Sequence, residues 1–214
     1  MRRPALFALI ALACARADSA ADSAAPGEVP AAAVAYREGR PDAPVRVIYF
    51  ADYVCPDCAT FSRAAAEPLR ADWVARGRAS LTIVDLPWHR GSVAGSAAAA
   101  CAAEQGKYWA MHDLLFERQE VWRSVVDIPA KLQGYAVRQL ALDSAAFARC
   151  AADERHRRRA DAAEEVARRF AVRGTPAFVI NGRLYYGSQD WSRVERILLA
   201  TERGDTTGTE ALRD

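Results

Sequence analysis

The chain has no apolar run long enough to cross a bilayer as a helix, which takes about 20 residues. Its N-terminal run, Ala5 to Ala13, falls well short. Lysine is nearly missing: only Lys107 and Lys131 interrupt an otherwise all-arginine basic complement. Three histidines and two methionines are too few for a His-rich or Met-rich metal carrier. Neither charge sign dominates, with 29 basic against 27 acidic residues and a net charge of +2. That balance excludes the basic footprint of a nucleic-acid binder and strong attraction to an anionic membrane. No Gly-rich phosphate loop, paired-carboxylate site or internal repeat stands out, so no cofactor is expected.

What remains is a chain of 214 residues, 51% hydrophobic, enough to bury the core of one domain or of one domain with an insertion. Its alanine and arginine abundance is read as coding bias before function. The five cysteines, Cys14, Cys55, Cys58, Cys101 and Cys150, are an awkward odd number for an oxidising compartment.

The N-terminus accounts for the odd one. Met1-Arg2-Arg3 is a positive start, Ala5 to Ala13 has the length of a signal-peptide core, and Ala15-Arg16-Ala17 offers a small-x-small cleavage site. Residues 1–17 are therefore expected to be a signal peptide. The alternatives are a lipoprotein signal ending at a lipidated Cys14, which would tether the protein to a membrane, and an uncleaved anchor. In each case the location is extracytoplasmic, periplasmic or membrane-anchored facing the periplasm. Residues 18–40 are Ala/Ser/Pro/Gly-rich and are expected to be a flexible linker.

Residues 41–203 are expected to form the folded domain, and 204–214 a loose tail. Val45 to Phe50 is β-branched and aromatic, a strand. Pro56 to about Gly77 has helical periodicity, with a kink expected at Pro68. Ser80 to Leu86 is a second strand. Ser92–Gln105, Tyr108–Arg118, Ile128–Leu140 and Ser144–Phe170 then read as helices, with Asp127 an N-cap. Ala177–Ile180 and Arg183–Tyr186 flank Asn181-Gly182, a strong hairpin signal. A last helix runs from Ser188, its expected N-cap, to about Glu202. The order βαβ, helices, ββα predicts an α/β fold: a mixed central sheet with an all-helical insertion over about 92–170.

The chemistry concentrates at Cys55-Pro56-Asp57-Cys58, which follows the first strand and opens the long helix. Two cysteines three apart in a first helical turn lie on one side, so their sulfurs can bond. At a helix N-terminus, free N–H groups and the positive dipole end favour thiolate over thiol. Cys55 is therefore the expected nucleophile and Cys58 the resolving thiol. Pro56 at the first helical position costs no hydrogen bond. A structural disulfide, or half of a zinc site, is the plainer alternative. Zinc needs four ligands, and no second C-x-x-C or His pair accompanies this one, so no metal site is assigned.

Thr175-Pro176 leads into a strand, where proline is otherwise unwelcome. A cis peptide there explains it, and would expose the Thr175 backbone for strand-like pairing with a peptide.

Phe50 to Cys58, Glu104 to Phe116, and Arg173 to Phe178 with Asn181-Gly182 together resemble the DsbA-like thiol:disulfide oxidoreductases of the thioredoxin superfamily. The resemblance runs from about Pro41 to Glu202. It implies a thioredoxin fold with a helical insertion. It also implies an exported enzyme exchanging disulfides with protein or peptide thiols, with Cys55 and Cys58 as the redox pair and Thr175-Pro176 as the cis-proline loop. An unidentified membrane redox partner would reset the pair, and a monomer is expected. The oxidase direction is favoured. A reductase or isomerase with the same site, or a membrane-tethered metal–thiolate carrier, are the alternatives.

Two departures stand out. Many relatives carry a buried acid six positions before the first cysteine, where this chain has Tyr49; the nearest carboxylate is Asp52. The dipeptide Pro56-Asp57 lacks the thiolate-stabilising histidine of strongly oxidising relatives, so a less oxidising disulfide is expected.

Cys101 and Cys150 fall in the helical stretch. A structural disulfide between them is expected, worth about 4 kcal/mol by chain entropy. A redox relay with Cys55 and Cys58, or two buried free thiols, are the alternatives. Among the histidines, His89 is expected to be structural and His112 core-facing or capping, while His156 lies in an exposed basic run. Arg155, Arg157, Arg158, Arg159, Arg168 and Arg169 interleave with acids at helical spacing, which predicts a solvated, salt-bridged face. Trp73, Trp109, Trp122 and Trp191 are expected to pack.

Overall fold

The computed structural model describes residues 28–187 and 190–205. The signal segment 1–17 with Cys14, most of the 204–214 tail, and Ser188 lie outside the described residues. No helix among the described residues is long and apolar enough to cross a membrane.

Five strands form one mixed sheet: β1 (Tyr36–Glu38), β2 (Val45–Ala51), β3 (Ala79–Asp85), β4 (Ala177–Ile180) and β5 (Arg183–Tyr186), in the order β1-β3-β2-β4-β5. β2 and β3 are parallel, from Val45 opposite Ala79 to Ala51 opposite Asp85. The other pairs are antiparallel. The hairpin β4–β5 turns at Asn181-Gly182, whose positive φ values of 43° and 85° suit that dipeptide.

β2 is buried on both faces because strand side chains alternate. Val45, Val47, Tyr49 and Ala51 enter the larger core, and Ile48 and Phe50 the smaller one. The larger core holds α1 (Pro56–Phe61), the helical insertion and α8 (Trp191–Glu202). α1 continues as wider π-helical turns over Ser62–Ala66 and Leu69–Val74. Pro68 lies between them, where a looser ladder accommodates its missing N–H.

Three expectations need correction. The presumed linker 18–40 is folded in its last part: a short 3₁₀ turn at Ala31–Ala33 is followed by β1, which caps the sheet edge beside β3. Composition hid it, because a single buried alanine, Ala33, anchors the turn while Ala31 and Ala32 stay exposed, which leaves no apolar pattern to read. Second, Ser144–Phe170 is not one helix. It breaks at Ala152–Glu154 into α6 (Ser144–Ala151) and α7 (Arg155–Arg169). Asp153 makes the break, its carboxylate accepting from the Arg155 N–H at 2.8 Å, a local bond that competes with helix. α7 then covers the second face of the sheet through Ala163, Val166 and Ala167, so the insertion proper ends before it. Third, α8 is capped by Asp190, whose side chain accepts from the Arg193 N–H.

The insertion comprises α2 (Ser92–Ala103), α3 (Tyr108–Glu117), α4 (Gln119–Arg123), α5 (Ile128–Arg138) and α6. The short α4 escaped the sequence reading because five residues show no periodicity. Asp127 caps α5 as expected, accepting from the Ala130 N–H at 3.0 Å.

Candidate active site

Cys55 stands at the N-cap of α1 and Pro56 at its first helical position. The C-terminal end of β2 delivers the chain to this point through the tight turn Asp52–Cys55, closed by Cys55 N–H to the Asp52 carbonyl at 3.0 Å. Both thiols are free, and both are largely buried. Their environments split them. A hydrogen bond from Cys58, helped by the Thr175 side chain and the backbone N–H groups of Cys58 and Asp57, lowers the Cys55 pKa to about 6. Burial, then the proximity of Cys55, pushes Cys58 far above the usual thiol range. The Cys55 sulfur also lies 3.3 Å from the Thr175 carbonyl, and Thr175-Pro176 is cis. The first turn of α1 and the loop before β4 therefore meet at Cys55.

Asp52 organises the loop beneath. It is only 1% exposed, yet both carboxylate oxygens are used. Oδ1 accepts from the Val54 N–H at 2.8 Å and the Ser92 hydroxyl at 2.5 Å. Oδ2 accepts from the Trp88 N–H at 3.1 Å and lies 2.6 Å from His89 Nδ1. The Asp52 N–H in turn points at Cys58 Sγ, 3.5 Å away. One buried carboxylate thus ties the redox loop to the β3–α2 connection and to the first turn of α2. His89 is structural in this sense, with its other edge half-exposed to solvent.

Gln119 was not anticipated. Its side-chain amide donates to the carbonyls of Tyr53 at 2.8 Å and Cys55 at 2.9 Å, holding the redox loop from the opposite side. Arg123, one turn on, reaches the Val54 carbonyl at 3.5 Å. α4 is therefore a brace for the site. A lone glutamine in a polar stretch carries no sequence signal of such a role.

Tyr49 is fully buried, and its hydroxyl has no hydrogen-bond partner among the described residues. Burial first, and then the Cys58 thiol beside it, push its pKa well up. A neutral phenol thus occupies the place where an acid was looked for. Besides Asp52, a second buried acid lies at the end of β3: Asp85 is pushed up to about 6 by burial, with Arg159 and Ser96 opposing.

His112 is buried as expected, its ring against Tyr53, Trp109 and Phe116. Trp73 and Trp122 are fully buried. Trp109 and Trp191 are partly buried against the same core. The acid–base interleaving of α7 is realised by Arg157–Glu154 and Arg168–Glu164. His156 corrects the sequence reading: it is buried, not exposed, because the break at Asp153 turns it inward against Cys101 and Cys150. Those cysteines form a disulfide between α2 and α6, with Cα atoms 5.7 Å apart.

A thioredoxin family model matches residues 34–200, most of the chain. The chain belongs to the thioredoxin family. Among solved structures, this thioredoxin-family chain is similar to alpha-DsbA1 of Wolbachia pipientis, with a TM-score of 0.71 at 17% identity, covering 80% of this chain and 92% of that one. It is also similar to BdbD of Bacillus subtilis, with a TM-score of 0.69 at 20% identity, covering 78% and 92%. Among curated sequences it is 33% identical over 87 residues to the disulfide bond formation protein D of Bacillus subtilis, 38% of each chain. A longer match, 37% over 151 residues, is to a Na(+)/H(+) antiporter NhaA 3 of Salinispora tropica; it takes in 70% of this chain and 22% of that protein. The chain thus spans about a fifth of the first curated relatives it matches.

Proposed function

We propose that the chain is an exported thiol:disulfide oxidoreductase that exchanges disulfides with protein substrates through Cys55 and Cys58, working in the oxidising direction. The observation that carries this is the split between the two thiols. With a pKa of about 6, Cys55 is about nine-tenths thiolate at pH 7. Thiolate is both the nucleophile and the better leaving group.

In the oxidised enzyme a substrate thiolate attacks Cys55 Sγ. The Cys55–Cys58 bond breaks, and Cys58 leaves with the electron pair and takes up a proton, as its raised pKa requires. The substrate's second thiolate then attacks its own sulfur in the mixed disulfide and expels Cys55 as thiolate. The substrate loses two electrons and becomes a disulfide; the enzyme gains them. Stabilising the Cys55 thiolate favours this reduced product, which supports the oxidase direction over reductase or isomerase.

Access fits a protein substrate. The Thr175 backbone borders Cys55, and the exposed Trp88 and Val121 lie on the two elements that hold the redox loop through Asp52 and Gln119. Export rests on the leader 1–17, whether cleaved or lipidated at Cys14. A membrane redox partner that re-oxidises the pair, and action as a monomer, complete the reading.

The test is the pH profile of Cys55 alkylation in the reduced protein, together with equilibration against glutathione. Half-maximal reactivity near pH 6 and a potential toward the oxidising end are expected. Reactivity that rises only above about pH 8, the ordinary thiol range, would overturn the reading.

A further inference from the structure

The Cys101–Cys150 disulfide has surroundings that a passive staple does not need. Arg155 Nη2 lies 2.8 Å from Cys150 Sγ. His156 Nε2 lies 3.6 Å from Cys101 Sγ and 3.8 Å from Cys150 Sγ. Arg159 Nη2 donates to His156 Nδ1 at 3.1 Å, which fixes Nε2 as the protonated nitrogen; that N–H reaches the Cys150 carbonyl at 2.9 Å. The donor aimed at a sulfur is therefore Arg155, while the single Nε2–H of His156 goes to the Cys150 carbonyl with both sulfurs beside it. The nearby carboxylates, Glu104 at 2.5 Å and Asp153 at 3.7 Å, contact Arg155 and hold it in place.

A disulfide sulfur is uncharged and a weak acceptor, so a guanidinium gains little from it. Against a thiolate the same contact is a charge-assisted hydrogen bond. The arrangement therefore stabilises the reduced pair more than the oxidised one, whereas a buried cysteine in apolar surroundings is inert.

We infer that Cys101–Cys150 is a second thiol–disulfide exchange site, reducible by small thiols, in which Arg155 holds Cys150 as thiolate. Cys150 is the more accessible residue of the two, at 7% exposure against 1% for Cys101. A cleft lined by Ala97, Ala151, Ala152 and His156 opens at this end of α6. A small thiolate attacks Cys150 Sγ. The Cys101–Cys150 bond breaks, and Cys101 leaves with the electron pair, takes a proton from solvent and faces His156. A second small thiolate attacks the incoming sulfur and releases Cys150 as thiolate beside Arg155. Two small thiols are oxidised to one disulfide, and the protein pair gains two electrons.

The experiment uses the full chain carrying Cys55→Ser and Cys58→Ser, so that only this pair responds. The chain is equilibrated in glutathione buffers, alkylated and weighed. The pair should titrate within the range of those buffers. Arg155→Ala should shift the equilibrium constant toward the disulfide by about tenfold, the size of one partly exposed charge-assisted hydrogen bond. Arg155→Lys should restore most of that shift. A pair that stays oxidised in every buffer, or an Arg155→Ala constant within twofold of the parent, would overturn the inference. If Arg155→Ala fails to fold, the pH dependence of Cys150 alkylation in the reduced Arg155 chain decides. Half-maximal reactivity below about pH 8 supports the site, and reactivity at or above the ordinary thiol value of about 8.5 refutes it.

Discussion

Cys55 and Cys58 stand at the first turn of α1, where the neighbouring Cys58 thiol, helped by backbone N–H groups, lowers the Cys55 pKa and burial raises that of Cys58. Cys101 and Cys150 join α2 to α6, where the groups facing the sulfurs are the side chains Arg155 and His156. In the first pair the electrostatics come with the motif itself: the Cys58 thiol contributes most, and a helix N-terminus adds free donors whatever its sequence. In the second, two particular side chains must turn inward, and a single substitution can undo them. The difference explains why the first site is readable as a motif and the second only as geometry.

The sharpest way to break the comparison is Cys55→Ser, which should abolish oxidation of a dithiol peptide. Replacing Cys101 and Cys150 together by alanine should instead act on stability, lowering it by about 4 kcal/mol in urea unfolding through lost chain-entropy restraint. Asp52→Asn comes next. It leaves one carboxylate oxygen's worth of donors facing an amide N–H₂, and unfolding should register a loss of about 3 kcal/mol.

Asp85→Asn should work the other way. Because burial raises the Asp85 pKa to about 6, the unfolded chain ionises this group at lower pH than the native chain does. Its stabilising contribution is complete below about pH 4 and is lost as pH rises to 6. The asparagine variant should therefore be more stable than the parent by up to about 3 kcal/mol at pH 8, with the advantage gone at pH 4. A variant less stable at pH 8 would mean that Arg159 compensates the charge fully. The smallest effect is expected from Gln119→Ala, about 1–2 kcal/mol for two lost hydrogen bonds. It should also slow Cys55 exchange, because the loop loses its brace; an unchanged rate would limit α4 to stability.

Much of this was legible in the residues. The sheet strands announced themselves by β-branched runs and by Asn181-Gly182, and the nucleophile by Cys55-Pro56-Asp57-Cys58 after a strand. Legibility ended where a role depends on tertiary placement. β1 is three residues long in an alanine-rich stretch, too short for an alternating pattern. Gln119 and Asp52 matter because of the carbonyls and N–H groups that the fold brings to them. His156 was placed on an exposed face because the helix was expected to run unbroken through Asp153. Once the helix restarts, its register rotates, and residues in the same charged run divide: Arg157 and Arg168 face outward to acids, while His156 turns inward with Arg159 at its ring.

α2 is buried nearly all round and packs against α3, α5, α6 and α7. Ala97 to Ala100 and Ala102 give it the thinnest possible surface, and at Gly95 an added Cβ would come within 3.1 Å of Tyr53 Cβ and 3.3 Å of Trp122. It works as a spindle. Because its neighbours share this one axle, the insertion cannot be shortened a helix at a time, and a larger residue at the buried positions Ala97 to Ala100 or Ala102 would wedge neighbouring helices apart. The abundance of alanine, whatever its origin in coding, is here a tolerance in the machining sense: it sets how closely the redox loop at Tyr53 and the disulfide at Cys101 can be carried on a single shaft.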